Sequence, residues 1–126
     1  MNKYWMVGLG GFFGSIARFW VGSYITYRMG AKFPYGTFII NISGSFLIGA
    51  LAEAFALRWN ADLATRVFLI TGICGGYTTF SAFSLETVTL INRGAIAAAT
   101  SYIFSSVVLS IGALYAALFL LRRLYS

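Results

Sequence analysis

The sequence predicts an all-α integral membrane protein with four transmembrane helices per subunit, and three observations carry that expectation. Of 126 residues, 60% are hydrophobic and only 10% are charged, and the mean hydropathy is +0.82; soluble domains are about 25% charged. Residues 33–52, 67–85 and 94–121 carry no charge at all. Runs of that length cross a hydrocarbon core of about 30 Å as a helix rising about 1.5 Å per residue. The Lys and Arg residues are scattered rather than clustered, which suits anchoring at the membrane interface and not a nucleic-acid surface. The length fits one domain, residues 1–126.

The first span, 4–28, is apolar and glycine-rich but interrupted by Arg18. A lipid-facing arginine at depth is costly, so Arg18 is expected to turn toward protein or water. Pro34 and Gly36 mark the turn into the second span, 35–58. The third span covers 64–92 and the fourth 95–122. Only Lys3 precedes the first apolar stretch, which runs on too far for a cleavable signal peptide.

An even number of spans puts both termini on one side, together with Lys3, Arg58, Arg66, Arg122 and Arg123; Arg28, Lys32 and Arg93 fall on the other. That asymmetry is a weak positive-inside signal. It leaves two readings open: both termini cytoplasmic, or dual topology with subunits inserted both ways and paired antiparallel. Gly10 with Gly14, and Ser45 with Gly49, are small-xxx-small pairs that permit close helix approach in lipid. Four helices offer little interior in which to hide Arg18, Asn41 and Glu86, so oligomerisation is expected.

Polar residues inside the spans are the functional candidates. Thr37, Asn41 and Ser45 are spaced i, i+4, i+8 along one face of the second span, and Tyr102, Ser106 and Ser110 repeat that spacing in the fourth. Each stripe reads either as interhelical hydrogen bonding or as the wall of a wetted path. In the third span, GICGGYTTFSAFSLET at 72–87 puts Gly75-Gly76 and Thr78-Thr79 at mid-membrane, where helix propensity is poor. Either the helix breaks there, or the glycines let a continuous helix pack closely. A break frees backbone carbonyls near Gly75 and Thr78 that suit a cation, and N–H groups near Phe80 and Ser81 that suit an anion. Phe80 and Phe83 share a face, and an aromatic edge is weakly positive, so such rings either pack or line an anion path. Ser81 and Ser84 add hydroxyls beside them. Glu86 is the acid well inside a span, read either as functional or as snorkelling from the helix end. Cys74 reads as a small buried hydrophobe.

GGFFGSIARFW at 10–20, YGTFIINISGSFLIG at 35–49 and GGYTTFSAFSLE at 75–86 together resemble the CrcB/Fluc fluoride channel family, in motif order across the whole chain. The resemblance implies an antiparallel dual-topology homodimer in the bacterial cytoplasmic (inner) membrane, with the third helix broken mid-membrane and two pores passively conducting fluoride. It also implies a structural Na+ at the dimer interface, held by the Gly75 and Thr78 carbonyls of both subunits. It places Asn41, Phe80, Ser81, Phe83, Tyr102, Ser106 and Ser110 along the fluoride pathway, with Arg18 and Glu86 at family positions. One departure stands out: between Ser81 and Phe83 the family run usually has a threonine, and this chain has Ala82.

The chemistry agrees with that implication. Fluoride is tightly hydrated, and a conducting path must replace its water with many donors without trapping it. Uncharged hydroxyls, an amide and ring edges meet both demands. A small dual-topology multidrug antiporter needs a deep acid early in the chain, and no Asp or Glu precedes Glu53. A non-transporting assembly subunit predicts no ion flux from the protein alone. The absence of histidine and the single cysteine exclude a His-based general base, a Cys/His zinc site and an internal disulfide, and no nucleophile–base constellation of an enzyme is present.

Overall fold

Glycine and proline set the helix ends in this chain. The computed structural model describes residues 2–125. Helix α1 (Asn2–Met29) stops at Gly30, whose φ of +86° a side chain would disfavour and whose N–H caps the Thr26 carbonyl at 2.8 Å. Pro34 begins α2 (Tyr35–Leu57), where its missing N–H costs nothing. Asp62 caps α3 (Leu63–Arg66) by accepting the Thr65 N–H at 3.0 Å. The chain continues through a π-helical stretch, Val67–Cys74, into the short α4 (Gly75–Tyr77). Thr78 (φ −84°, ψ 159°) and Thr79 (φ −153°, ψ 123°) are extended. Then come α5 (Phe80–Asn92), a turn at Gly94 with φ +85°, and α6 (Ile96–Tyr125).

Gly75 and Gly76, the poorest helix formers of the third span, stay helical, and the extended pair is the threonines that follow. Gly76 serves contact instead. A Cβ on Gly76 would lie 2.8 Å from the Gly11 carbonyl oxygen, and one on Gly10 would lie 2.4 Å from that of Phe68 and 2.9 Å from the Gly72 Cα. The Gly10–Gly14 step therefore seats α1 backbone-to-backbone on the π-helical stretch, as small residues do in lipid, where burial of apolar surface supplies little driving force. On the other side, α2 lies along α6, with Gly49 facing the Leu114 backbone.

By length and composition, α2, the segment Leu63–Asn92 and α6 are able to cross a membrane. Helix α1 has the length, at 28 residues, but Lys3, Arg18 and Arg28 make it the least apolar of the long helices. Its outer face nonetheless presents Phe12, Phe19 and Trp20, and that of α6 presents Phe104, Tyr115 and Phe119. So broad an apolar surface suits contact with lipid or another copy rather than water. The small core sits at one end, where Leu90, Ala99 and Tyr102 meet Phe33, Phe38 and Phe83. At the opposite end, the buried Glu53 carboxylate of α2 pairs with the Arg122 guanidinium of α6.

Candidate functional site

The extended threonines set the geometry of the site. In an uninterrupted α-helix the Thr79 N–H would bond the Gly75 carbonyl. Here it donates to Asn41 Oδ1 at 2.8 Å, while Asn41 Nδ2 donates to the Thr79 carbonyl at 3.0 Å. The Ala82 N–H would likewise bond the Thr78 carbonyl, yet it donates at 3.1 Å to the Thr79 hydroxyl, which caps α5. The Gly76 carbonyl accepts from Arg18 Nε at 3.0 Å. Thr78 stays tied to the preceding turn, with its hydroxyl and its N–H both bonded to the Cys74 carbonyl. Gly75 and Thr78 thus have carbonyls whose helical donors point elsewhere, and such groups at membrane depth need another partner.

Two cavities flank this segment, and Thr79 lines both. The first, about 400 Å³ and open to one side, brings together Asn41, Phe80, Phe83, Ser106, Ser110, Gly75 and Thr78 of the sequence candidates, with Ser45 and Cys74 in its wall. Among the described residues no Lys, Arg, Asp or Glu lines it. The Phe80 and Phe83 rings lie 5.5 Å apart, tilted by 44°. Phe83 is half-buried, whereas Phe80 is 78% exposed on the open side. Ser106 Oγ is buried without a hydrogen-bond partner among the described residues. A buried hydroxyl left so is rare and points to a missing partner.

The second cavity, about 590 Å³, holds Arg18 and Glu86 with Thr37 and Ala82. Glu86 is tied on both sides: Thr37 Oγ1 donates to Oε2 and the Tyr102 hydroxyl donates to Oε1, each at 2.9 Å. Stripe spacing indicates a shared face, and the partners along it differ from residue to residue. Ser106 and Ser110 face the first cavity. Tyr102, fully buried on the same stripe, lines neither, and turns its hydroxyl to Glu86 and its ring to Phe83 at 5.0 Å. Ser81 also lines neither; it is exposed, with Thr79 Oγ1 3.4 Å from its hydroxyl. Thr79 itself was not singled out from the sequence as a site residue, and the signal was there: it is the last residue before a helix that starts inside a span, where an N-cap hydroxyl is needed.

A family model described as CrcB-like protein, Camphor Resistance (CrcB), matches residues 5–118. Among curated relatives, fluoride-specific ion channel FluC 1 of Nitrobacter hamburgensis is 56% identical over 118 residues, 94% of this chain and 94% of that protein. The fluoride-specific ion channel FluC of Nitrobacter winogradskyi is 53% identical over 116 residues, 92% of each. That of Rhizobium meliloti is 48% identical over 124 residues, 98% of this chain and 99% of that protein.

Proposed function

The chain belongs to the CrcB family, and we propose that it is a passive fluoride channel of the cytoplasmic membrane whose ion path runs through the first cavity. The observation that carries this reading is Ser106: a buried hydroxyl with no hydrogen-bond partner among the described residues, in a cavity wall to which those residues bring donors and ring edges but no charge. Fluoride accepts hydrogen bonds strongly, so it can draw on the Ser106 and Ser110 hydroxyls, the remaining Asn41 amide proton and the edges of Phe80 and Phe83. With no Lys or Arg among the described residues of that wall, the ion meets no deep well and can leave. Arg18 in the second cavity raises the local concentration of anions on the approach. Glu86, held by two hydroxyls, keeps its charge turned toward Thr37 and Tyr102, and Tyr102 braces the Phe83 ring.

Two copies paired antiparallel, each with its third span interrupted at Thr78-Thr79, complete this arrangement and give two paths per dimer. The exposed Phe80, on the open side of the first cavity, and the exposed Ser81 next to it in sequence suit burial against the second copy. The diverted donors around Gly75 and Thr78 fit a central Na+ held by these carbonyls of both subunits. A bound Na+ would supply the positive charge that these freed oxygens lack, with a structural role and no part in the flux. Expression in a bacterial strain deprived of its own fluoride exporter tests the reading. Growth on fluoride-containing medium restored by the chain is expected, and sensitivity unchanged despite normal membrane insertion would contradict it.

A further inference from the structure

The Asn41 side chain occupies an unusual position: both its oxygen and its nitrogen are bonded to the backbone of one residue, Thr79, 38 positions away. As the N-cap of α5, extended Thr79 lends its carbonyl to the helix that follows but leaves its N–H without a helical acceptor, which is costly in a medium lacking water. A primary amide presents an acceptor and a donor side by side, as a neighbouring strand would. Asp lacks the donor, and Ser offers only one atom. Asn41 therefore matches Thr79 at both ends of its peptide groups, and only one Nδ2 proton is left for the cavity.

The consequence reaches the two carbonyls on the other side of the segment. Because Asn41 Oδ1 holds the Thr79 N–H, that donor is unavailable to the Gly75 carbonyl. Because Thr79 is held extended (φ −153°, ψ 123°), its hydroxyl sits where it takes the Ala82 N–H at 3.1 Å, and that donor is unavailable to Thr78. We infer that Asn41 is a positioning residue: it holds Thr79 extended and thereby frees the Gly75 and Thr78 carbonyls for a cation. This inference rests on the cation reading above and deepens it. It makes α2 the element that joins the anion path to the cation site, since one amide forms part of the cavity wall and also controls the carbonyls.

The test is nuclear magnetic resonance on the isotopically labelled full chain in lipid bilayers. In the wild type, dipolar coupling between the Asn41 side-chain nitrogen and the Thr79 carbonyl carbon is expected, and its absence overturns the inference. Asn41→Leu, close to Asn in shape, removes both bonds. Thr79 amide exchange is then expected to quicken about tenfold or more, the effect of losing a hydrogen bond, while the Leu90 amide, deep in α5, stays as before. The Na+ concentration that half-shifts the Gly75 carbonyl resonance is expected to rise by a similar factor. Unchanged Thr79 exchange in this variant, or released Thr79 with unchanged Na+ response, overturns the positioning role and leaves Asn41 as a fluoride donor only. A wild type whose Gly75 carbonyl ignores Na+ defeats the cation reading instead, while the exchange arm still decides whether Asn41 holds Thr79. If Asn41→Leu does not fold, Asn41→Ala serves: it too removes both bonds, so Thr79 exchange is again expected to quicken, and unchanged exchange there contradicts the inference.

Discussion

Tyr102 donates its hydroxyl proton to Glu86 across 2.9 Å while its ring lies 5.0 Å from that of Phe83, so one fully buried side chain on α6 fixes both an intramembrane carboxylate and a ring of the proposed anion path. Thr37 supplies the second hydroxyl to the same carboxylate from α2. Three helices thus meet at Glu86, on the side of Thr79 away from the first cavity.

Tyr102→Phe keeps the ring and deletes the bond. Glu86 then loses one of two donors, and the purified protein is expected to lose about 1–3 kcal/mol of stability, the usual range for a hydrogen bond to a charged group or for an unsatisfied buried acceptor. Thermal unfolding in detergent reads this as a lowered Tm. A Tm equal to the wild type would mean that the bond contributes nothing.

The seat of α1 gives a sharper contrast. Gly10→Ala puts a Cβ 2.4 Å from the Phe68 carbonyl oxygen, and backbone on both sides must shift. Such overpacking costs about 1–3 kcal/mol or more. Gly8→Ala, on the same helix with nothing within 4 Å of its Cβ, is expected to be neutral or slightly stabilising, since alanine is the better helix former. Equal Tm values for the two variants would contradict the backbone-to-backbone contact.

The Glu53–Arg122 pair is tested by a double-mutant cycle. Arg122→Leu leaves a buried carboxylate without its partner and is expected to destabilise by about 1–3 kcal/mol, less than a fully buried pair because Arg122 is mostly exposed. Adding Glu53→Leu removes the stranded charge and is expected to restore most of the loss. Additive losses in the double variant would show that the pair is not coupled.

Asp62 provides the pH dependence. Hydrogen bonds from the Thr65 side chain and backbone hold its carboxyl below the ordinary 3.8. A value depressed on folding adds stability above pH 3.8, and that contribution is lost as pH falls through the folded-state value. The Tm gap between wild type and Asp62→Ala is therefore expected to be full near neutrality and to close in acid. A constant gap down to about pH 3 would contradict the capping role.

The sequence showed which face of each helix is polar, because i, i+4, i+8 spacing survives folding. Ser45, Ser106 and Ser110 do meet in one cavity with Asn41, Phe80 and Phe83. Spacing does not say where a long side chain points along its face: Tyr102 shares the stripe of the serines, and its reach takes its hydroxyl to Glu86. Arg18 was expected to find protein or water, but its partner, the Gly76 carbonyl, depends on how close α1 can approach. That closeness comes from Gly10, Gly14 and Gly72 together, which lie on two separate spans. The π-helical stretch 67–74 had no legible signal: VFLITGIC is an ordinary apolar helix in composition, and its wider turns accompany the glycine contact with α1. The Asn41–Thr79 pairing was illegible for the same reason, since it depends on which two spans are neighbours.

Fluoride efflux from liposomes holding the purified protein, followed beside chloride with ion-selective electrodes, tests the proposed path most directly when wild type, Phe80→Ile and Phe83→Ile are compared. The wild type is expected to release fluoride rapidly and retain chloride, and either isoleucine variant to fall to the level of empty liposomes while eluting as the same oligomer. Fluoride retained by the wild type, or released undiminished by both variants, would contradict a fluoride path lined by these two rings.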